Sequence, residues 1–175
     1  IQFAWDAYGK NDENSFAWVR LRQAWAGDGY GFHTTPRAGH EVLVSFDHGS
    51  LDKPFITGSL YNDTALPPFT PDVTPTQSGF QSKSLDNDTP APGGHQFIFE
   101  DDAKNPYVKL HSQRDLHLQA ANDFTQQVGG KSSTTVLHGN YTHQTNGRLT
   151  IKADKAVHLV NGQSRISVTD SDIIV

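Results

Sequence analysis

The chain has 175 residues, with 14 Lys and Arg against 19 Asp and Glu, a net charge of −5 and only 35% hydrophobic residues. This acidic balance speaks against a nucleic-acid surface or an anchor on anionic lipid, and at a mean hydropathy of −0.57 a compact globule would be short of core. The absence of cysteine removes disulfides and thiol chemistry, and no apolar run approaches the ~18 residues that span a bilayer.

The length leaves room for one domain or two small ones. The chain lacks methionine and opens at Ile1 in a strand-like stretch, with no signal-peptide pattern. It is therefore expected to be a piece of a longer protein. Ile1-Gln2-Phe3-Ala4-Trp5 alternates large and small, and Asp6 to Asn14 is a polar, turn-rich loop. Trp18-Val19-Arg20-Leu21-Arg22 alternates again and predicts a strand. Gly27, Gly29 and Gly31 stand at alternate positions, which suits turns or close backbone approach better than a strand interior. A phosphate cradle is the competing reading, but neither a helix pattern nor a Lys-Ser/Thr pair follows those glycines. Glu41 to Phe46 predicts a strand with Val42, Val44 and Phe46 on one face, His48-Gly49-Ser50 a turn, and Pro54 to Tyr61 another strand. Four short strands with glycine-rich turns indicate a small barrel of the OB type.

The motifs here resemble a known family. Trp18-Val19-Arg20, Trp25-Ala26-Gly27-Asp28-Gly29-Tyr30-Gly31 and Pro36-Arg37-Ala38-Gly39-His40-Glu41-Val42 are similar to the OB-fold segment of VgrG spike proteins of type VI secretion systems. Phe46-Asp47-His48-Gly49, Asp52-Lys53-Pro54 and Ile56-Thr57-Gly58 continue that pattern in order. The family is related to the central spikes of contractile phage tails. Its members carry a further barrel strand and a hub domain ahead of the stretch resembling Ile1 to Asp6, so the resemblance implies an incomplete barrel over residues 1–61.

Residues 62–96 read as a proline-rich linker. Six prolines between Asn62 and Gly94 predict an extended connector without regular ladders, too short to bury an enzyme's core. Gln96 to Glu100 and Tyr107 to His111 alternate on either side of a turn-rich loop and predict a β-hairpin.

Beyond the hairpin, apolar pairs two residues apart recur at Leu116/Leu118, Leu149/Ile151, Val157/Leu159, Ile166/Val168 and Ile173/Val175, with Phe124, Val128 and Val136 keeping a fainter beat between them. Each repeat holds too few apolar side chains to fold alone. A run of ordinary strands in a sandwich is one way to cover them. The resemblance implies another: residues 97–175 would be a hairpin and then a needle, in which three chains wind into a triple-stranded β-helix. The expected fold class is all-β, an incomplete OB-type barrel followed by an intertwined trimeric needle. Leu116, Leu118, Phe124, Val128, Val136, Leu149, Ile151, Val157, Leu159, Ile166, Val168 and Val175 would line its axis. About eight strands at ~4.8 Å each would make a needle on the order of 40 Å long.

No catalytic constellation emerges. Glu100, Asp101 and Asp102 are adjacent acids in a turn, and adjacency does not set the separation a glycosidase pair needs. No Gly-x-Ser-x-Gly elbow occurs. None of the nine histidines has the His-x-x-x-His spacing of a helical metal site; His138 or His143 would gather three nitrogens only on a threefold axis. No cofactor or metal is expected. The resemblance implies a non-enzymatic homotrimeric spike, assembled in the bacterial cytoplasm and injected into target cells. Its partners would be tail-tube and tip or effector proteins and, transiently, the target envelope, with no nucleic acid. A phage baseplate spike, or a tailspike-like β-helix that binds or cleaves glycans, are the alternatives.

Overall fold

The computed structural model describes residues 1–175 except 11, 13, 16, 17, 87, 88, 91, 170–172 and 175. Its strands are β1 (Arg20–Leu21), β2 (Ala26–Gly27), β3 (Tyr30–Gly31), β4 (Glu41–Phe46), β5 (Pro54–Leu60), β6 (Gln77–Gln81), β7 (Leu85–Asp86), β8 (Thr89–Pro90), β9 (Gln96–Glu100), β10 (Tyr107–His111), β11 (Ala156–Asn161), β12 (Ser164–Thr169) and β13 (Ile173–Ile174). The chain divides into two units, Ile1–Leu118 and Gln119–Val175.

The first unit contains the barrel strands expected from alternation. β5 lies between β1, which it meets in parallel through Arg20↔Phe55 and Leu21↔Ile56, and β4, which it meets antiparallel. Pro54 occupies the first position of β5, where a missing N–H is tolerated. The register shifts between Leu43 and Val44, and the Thr57 hydroxyl donates to the Leu43 carbonyl at 3.1 Å beside that bulge. Val42, Val44 and Phe46 are half-buried while Leu43 is exposed, so the expected one-sided face holds. A 3₁₀ turn at Asp47–Gly49 links the two strands, closed by Asp47 N–H donating to Lys53 O and Ser50 N–H to Asp47 O, both at 3.0 Å.

Two expectations are narrowed. Ile1 to Trp5 joins no ladder among the described residues; Phe3 stacks on Trp5 at 4.6 Å and on Phe46 at 6.0 Å instead. A cleft of about 1210 Å³ lies between this segment and β4, with Ile56 in its wall. Gly27 and Gly31 sit in a short β2–β3 hairpin, where their role is close approach. Tyr30 lies over Gly27, and a Cβ on Gly31 (φ 138) would stand 2.5 Å from the Trp25 carbonyl oxygen.

The linker expectation is corrected. Residues 62–96 are not free of ladders: β6 pairs antiparallel with β9, and β7 with β8. The reason is distribution. Four prolines crowd residues 67–75 and two lie at 90 and 92, so residues 76–89 retain every backbone N–H. The window is also tied to the barrel, by Asn62 Nδ2 donating to Glu41 Oε2 at 2.8 Å and by Arg37 donating to the Lys83 carbonyl at 2.8 Å. The β9–β10 hairpin forms as expected, with Phe99↔Val108 and Phe97↔Leu110, and acquires β6 as a third strand in the order β10-β9-β6.

The second unit departs further from expectation. No strand forms among residues 119–155, and the repeat pairs after them do not stand as successive winding steps. β11 and β12 instead form an antiparallel hairpin within one chain, extended by β13. Its loop is Gly162-Gln163, with Gly162 at φ 56 supplying the positive φ that a two-residue hairpin turn requires. A winding strand has its ladder partner on another chain; among the described residues β11 pairs only with β12.

Gly79 is among the tightest points of the first unit. At φ 148 it lies opposite Ile98, and an added Cβ would collide with the Phe97 carbonyl oxygen. Gly79→Ala is expected to destabilise the β6–β9–β10 sheet by about 2 kcal/mol, read as a lower urea midpoint, whereas Ser78→Ala beside it changes the midpoint little.

Candidate functional site: an uncovered apolar surface

Burial is where this chain is unusual. The only large hydrophobic side chains buried among the described residues are Ile56 (8% exposed) and Ile98 (6%). The accessible surface is 16243 Å², against roughly 8,500 Å² for a compact monomer of this mass. Isolated exposed apolar groups need no explanation, but contiguous ones mark interaction surfaces.

Four of the proposed axis residues are brought together. The β11–β12 register sets Val157 opposite Val168 and Leu159 opposite Ile166, so all four share one face of the hairpin. Three of them stand open among the described residues: Leu159 is 59% exposed, and Ile166 and Val168 are each 42% exposed, while Val157 is half-buried. Leu116, Leu118, Phe124, Val128, Val136, Leu149 and Ile151 lie along the stretch without strands and are all exposed. None of these seven stands in a strand ladder. Val175 lies outside the described residues.

A second apolar face escaped the sequence reading. In the β10-β9-β6 sheet, Phe80, Phe97 and Leu110 form one cross-strand row, and Ser78, Phe99 and Val108 the next, on the same side. All but Ser78 are large hydrophobics, and all are exposed. Phe97 and Phe99 pack edge to face at 4.8 Å, and Phe32 tilts against Phe80 at 6.3 Å. The alternation of Phe97/Phe99 and Val108/Leu110 was visible in the sequence. Phe80 was hidden inside the proline-rich window.

The reverse face of that sheet holds buried Ile98 amid polar, well-bonded side chains. Gln96 accepts from Lys109 Nζ at 2.9 Å and donates to Gln81 at 3.2 Å. Glu100 accepts from the Thr76 hydroxyl, from Gln77 Nε2 at 3.0 Å and from the Asp102 N–H at 3.0 Å. These donors, the Thr76 hydroxyl first, hold its carboxyl below the ordinary value. Asp102 in turn accepts from the Lys104 N–H at 3.0 Å. The three adjacent acids thus include two that build the hairpin turn.

Among the described residues, no three His, Asp or Glu side chains of one chain converge as a metal set. His95 Nδ1 lies 3.3 Å from the Ser112 hydroxyl and 3.4 Å from the Gln113 N–H, and His48 Nδ1 lies 2.9 Å from Asp47. His138 and His143 fall on the stretch without strands. No helix among the described residues is long and apolar enough to cross a membrane.

Comparison with known proteins bears on what such a surface is for. The type VI secretion system/phage-baseplate injector OB domain matches residues 1–61. The chain is similar to the type VI secretion system spike protein VgrG1b of Pseudomonas aeruginosa, at 36% identity over 136 residues, 78% of this chain and 18% of that protein. It is similar to the spike protein VgrG3 of Vibrio cholerae at 35% identity over 136 residues, 78% of this chain and 13% of that protein. It is also 34% identical over 167 residues to the actin cross-linking toxin VgrG1 of V. cholerae, 95% of this chain and 15% of that protein. The chain therefore spans less than a fifth of the length of these three relatives.

The lowered Glu100 pKa has a pH consequence. A carboxyl whose folded pKa lies below its unfolded value, ~4.3, stabilises the fold above that pH, and the contribution fades as pH falls through the folded value. The protection of β6 and β9 amides, relative to their intrinsic exchange rates, is expected to fall on acidification below about pH 4.3. In Glu100→Gln that acid-dependent component disappears.

Proposed function

The chain belongs to the VgrG family of spike proteins, and on that premise we propose that it is the collar-to-needle segment of a homotrimeric spike in a contractile injection machine. The observation that carries this reading is the apolar face of half-buried Val157 with exposed Leu159, Ile166 and Val168, preceded by exposed apolar residues with no ladder partner among the described residues. Three copies arranged about an axis would bury what one chain leaves wet, at ~25 cal/mol per Å² of apolar area. They would also supply strands to edges that are unpaired in one chain. The proposed axis is Leu116, Leu118, Phe124, Val128, Val136, Leu149, Ile151, Val157, Leu159, Ile166, Val168 and Val175. The antiparallel β11–β12 hairpin would then present two apolar rungs per chain to the axis, in place of single winding strands.

Such a rod transmits force through ladder hydrogen bonds and an apolar axis, without a ligand or a chemical step. Its work would be mechanical: breaching a target-cell envelope and delivering effectors. The tail tube on one side and a tip or effector protein on the other would be its partners, with assembly in the bacterial cytoplasm before injection. Relatives described as spike proteins support a structural role over an enzymatic one. Because the OB domain is shared by secretion systems and phage baseplates, a phage central spike is the second reading.

Sedimentation equilibrium of the purified chain tests the proposal. A trimer is expected, and a monomer at all concentrations would refute it. Leu159→Asp would bring three like charges together at the axis and should lower the trimer's melting temperature by well over 5 °C. An unchanged Tm would remove Leu159 from the axis.

A further inference from the structure

The Phe80, Phe97, Phe99, Val108 and Leu110 face of the β10-β9-β6 sheet is distinct from the needle axis and is already ordered within one chain. We propose that this face is where three copies of the chain first dock, acting as the nucleus that sets the register of everything after it; the inference rests on the trimeric reading above.

Three observations support a second copy as the occupant. The first is area. With a whole aromatic side chain worth roughly 150–250 Å², the five residues expose on the order of 500 Å², at the top of what an ordinary monomer leaves open. Phe32, tilted against Phe80, enlarges the patch. The second is charge. In a chain with 14 Lys and Arg and 19 Asp and Glu, neither cross-strand row of this face contains an ionisable group, while the reverse face holds Glu100, Tyr107, Lys109 and His111. Symmetric apposition sets each residue near its own copies, so a face without charge avoids like-charge repulsion. The third is continuity. Val108 and Leu110 lie a few residues ahead of Leu116 and Leu118, where the proposed axis begins, within the same unit.

Why this face should act first follows from order and from pattern. Its three strands are hydrogen-bonded within one chain, so docking them requires no further backbone ordering. Residues 119–155 contain no strand and must be ordered as they associate. The downstream pairs Leu149/Ile151, Val157/Leu159, Ile166/Val168 and Ile173/Val175 begin eight, nine and seven residues apart. Chains slipped by one repeat would still match apolar to apolar. The aromatic rows occur once and remove that degeneracy, as register needs a unique feature wherever the repeat does not supply one.

Refolding kinetics of the full chain decide the matter, followed by light scattering and tryptophan fluorescence after dilution from urea. Phe99→Ala and Phe97→Ala should slow the concentration-dependent phase by about tenfold or more, because truncating a nucleus residue acts on the folding rate. Leu159→Ala should leave that phase within about twofold and accelerate unfolding instead. The reverse pattern, with Leu159→Ala slowing assembly and the phenylalanine variants only speeding unfolding, would overturn the nucleus while leaving the trimer standing. A wild-type chain that stays monomeric would overturn both readings. If that monomer also fails to bind a hydrophobic dye, the face is covered by its own chain.

Discussion

One constraint organises this chain: among its described residues, the apolar sides of its alternating strands are left largely uncovered. A strand that alternates apolar and polar residues needs a second layer on its apolar side, and here that layer is missing along most of the sequence. Only Ile56 and Ile98 among the large hydrophobics are buried within the described residues. The polar side chains, by contrast, are well provided for. Gln77, Gln96, Glu100 and Asp102 close hydrogen-bonded rows and turns within the chain. Polar satisfaction is thus internal, whereas most large apolar side chains among the described residues stay exposed.

That asymmetry separates the roles of the segments. β4 and β5, with the Asp47–Gly49 turn between them, form local antiparallel structure that needs no partner chain. The β10-β9-β6 sheet is intermediate: complete in its ladders, incomplete in its packing. Residues 119–155 have neither. In the proposed trimer, dependence on other copies would increase in that order along the chain.

Much of this was legible in the sequence because strands β4, β5, β9 and β10 alternate cleanly and are bounded by turn residues. The glycines of β2 and β3 were legible as close approaches, which Tyr30 over Gly27 and the Trp25 carbonyl beside Gly31 bear out. β6 was not, because Gln77, Ser78 and Gly79 have low strand propensity and the prolines around them suggested a connector. The β11–β12 pairing was missed for another reason. Apolar pairs eight or nine residues apart fit both a winding step and a hairpin, and periodicity does not distinguish them. Asn161-Gly162 between alternating apolar residues was the available signal for the hairpin. The exposed aromatic face needed the β6–β9 register, which places Phe80 opposite Phe97 across more than a dozen residues of chain.

The central claim is that residues without a ladder in one chain acquire one from two others. Hydrogen–deuterium exchange at a series of protein concentrations measures this most directly, residue by residue, between Ser112 and Lys155. The account predicts amides that exchange rapidly in dilute solution and become strongly protected as the trimer forms, with Leu149 and Ile151 among the slowest. Rapid exchange through this stretch at every concentration, in a sample whose β4 and β5 amides are protected, would contradict it.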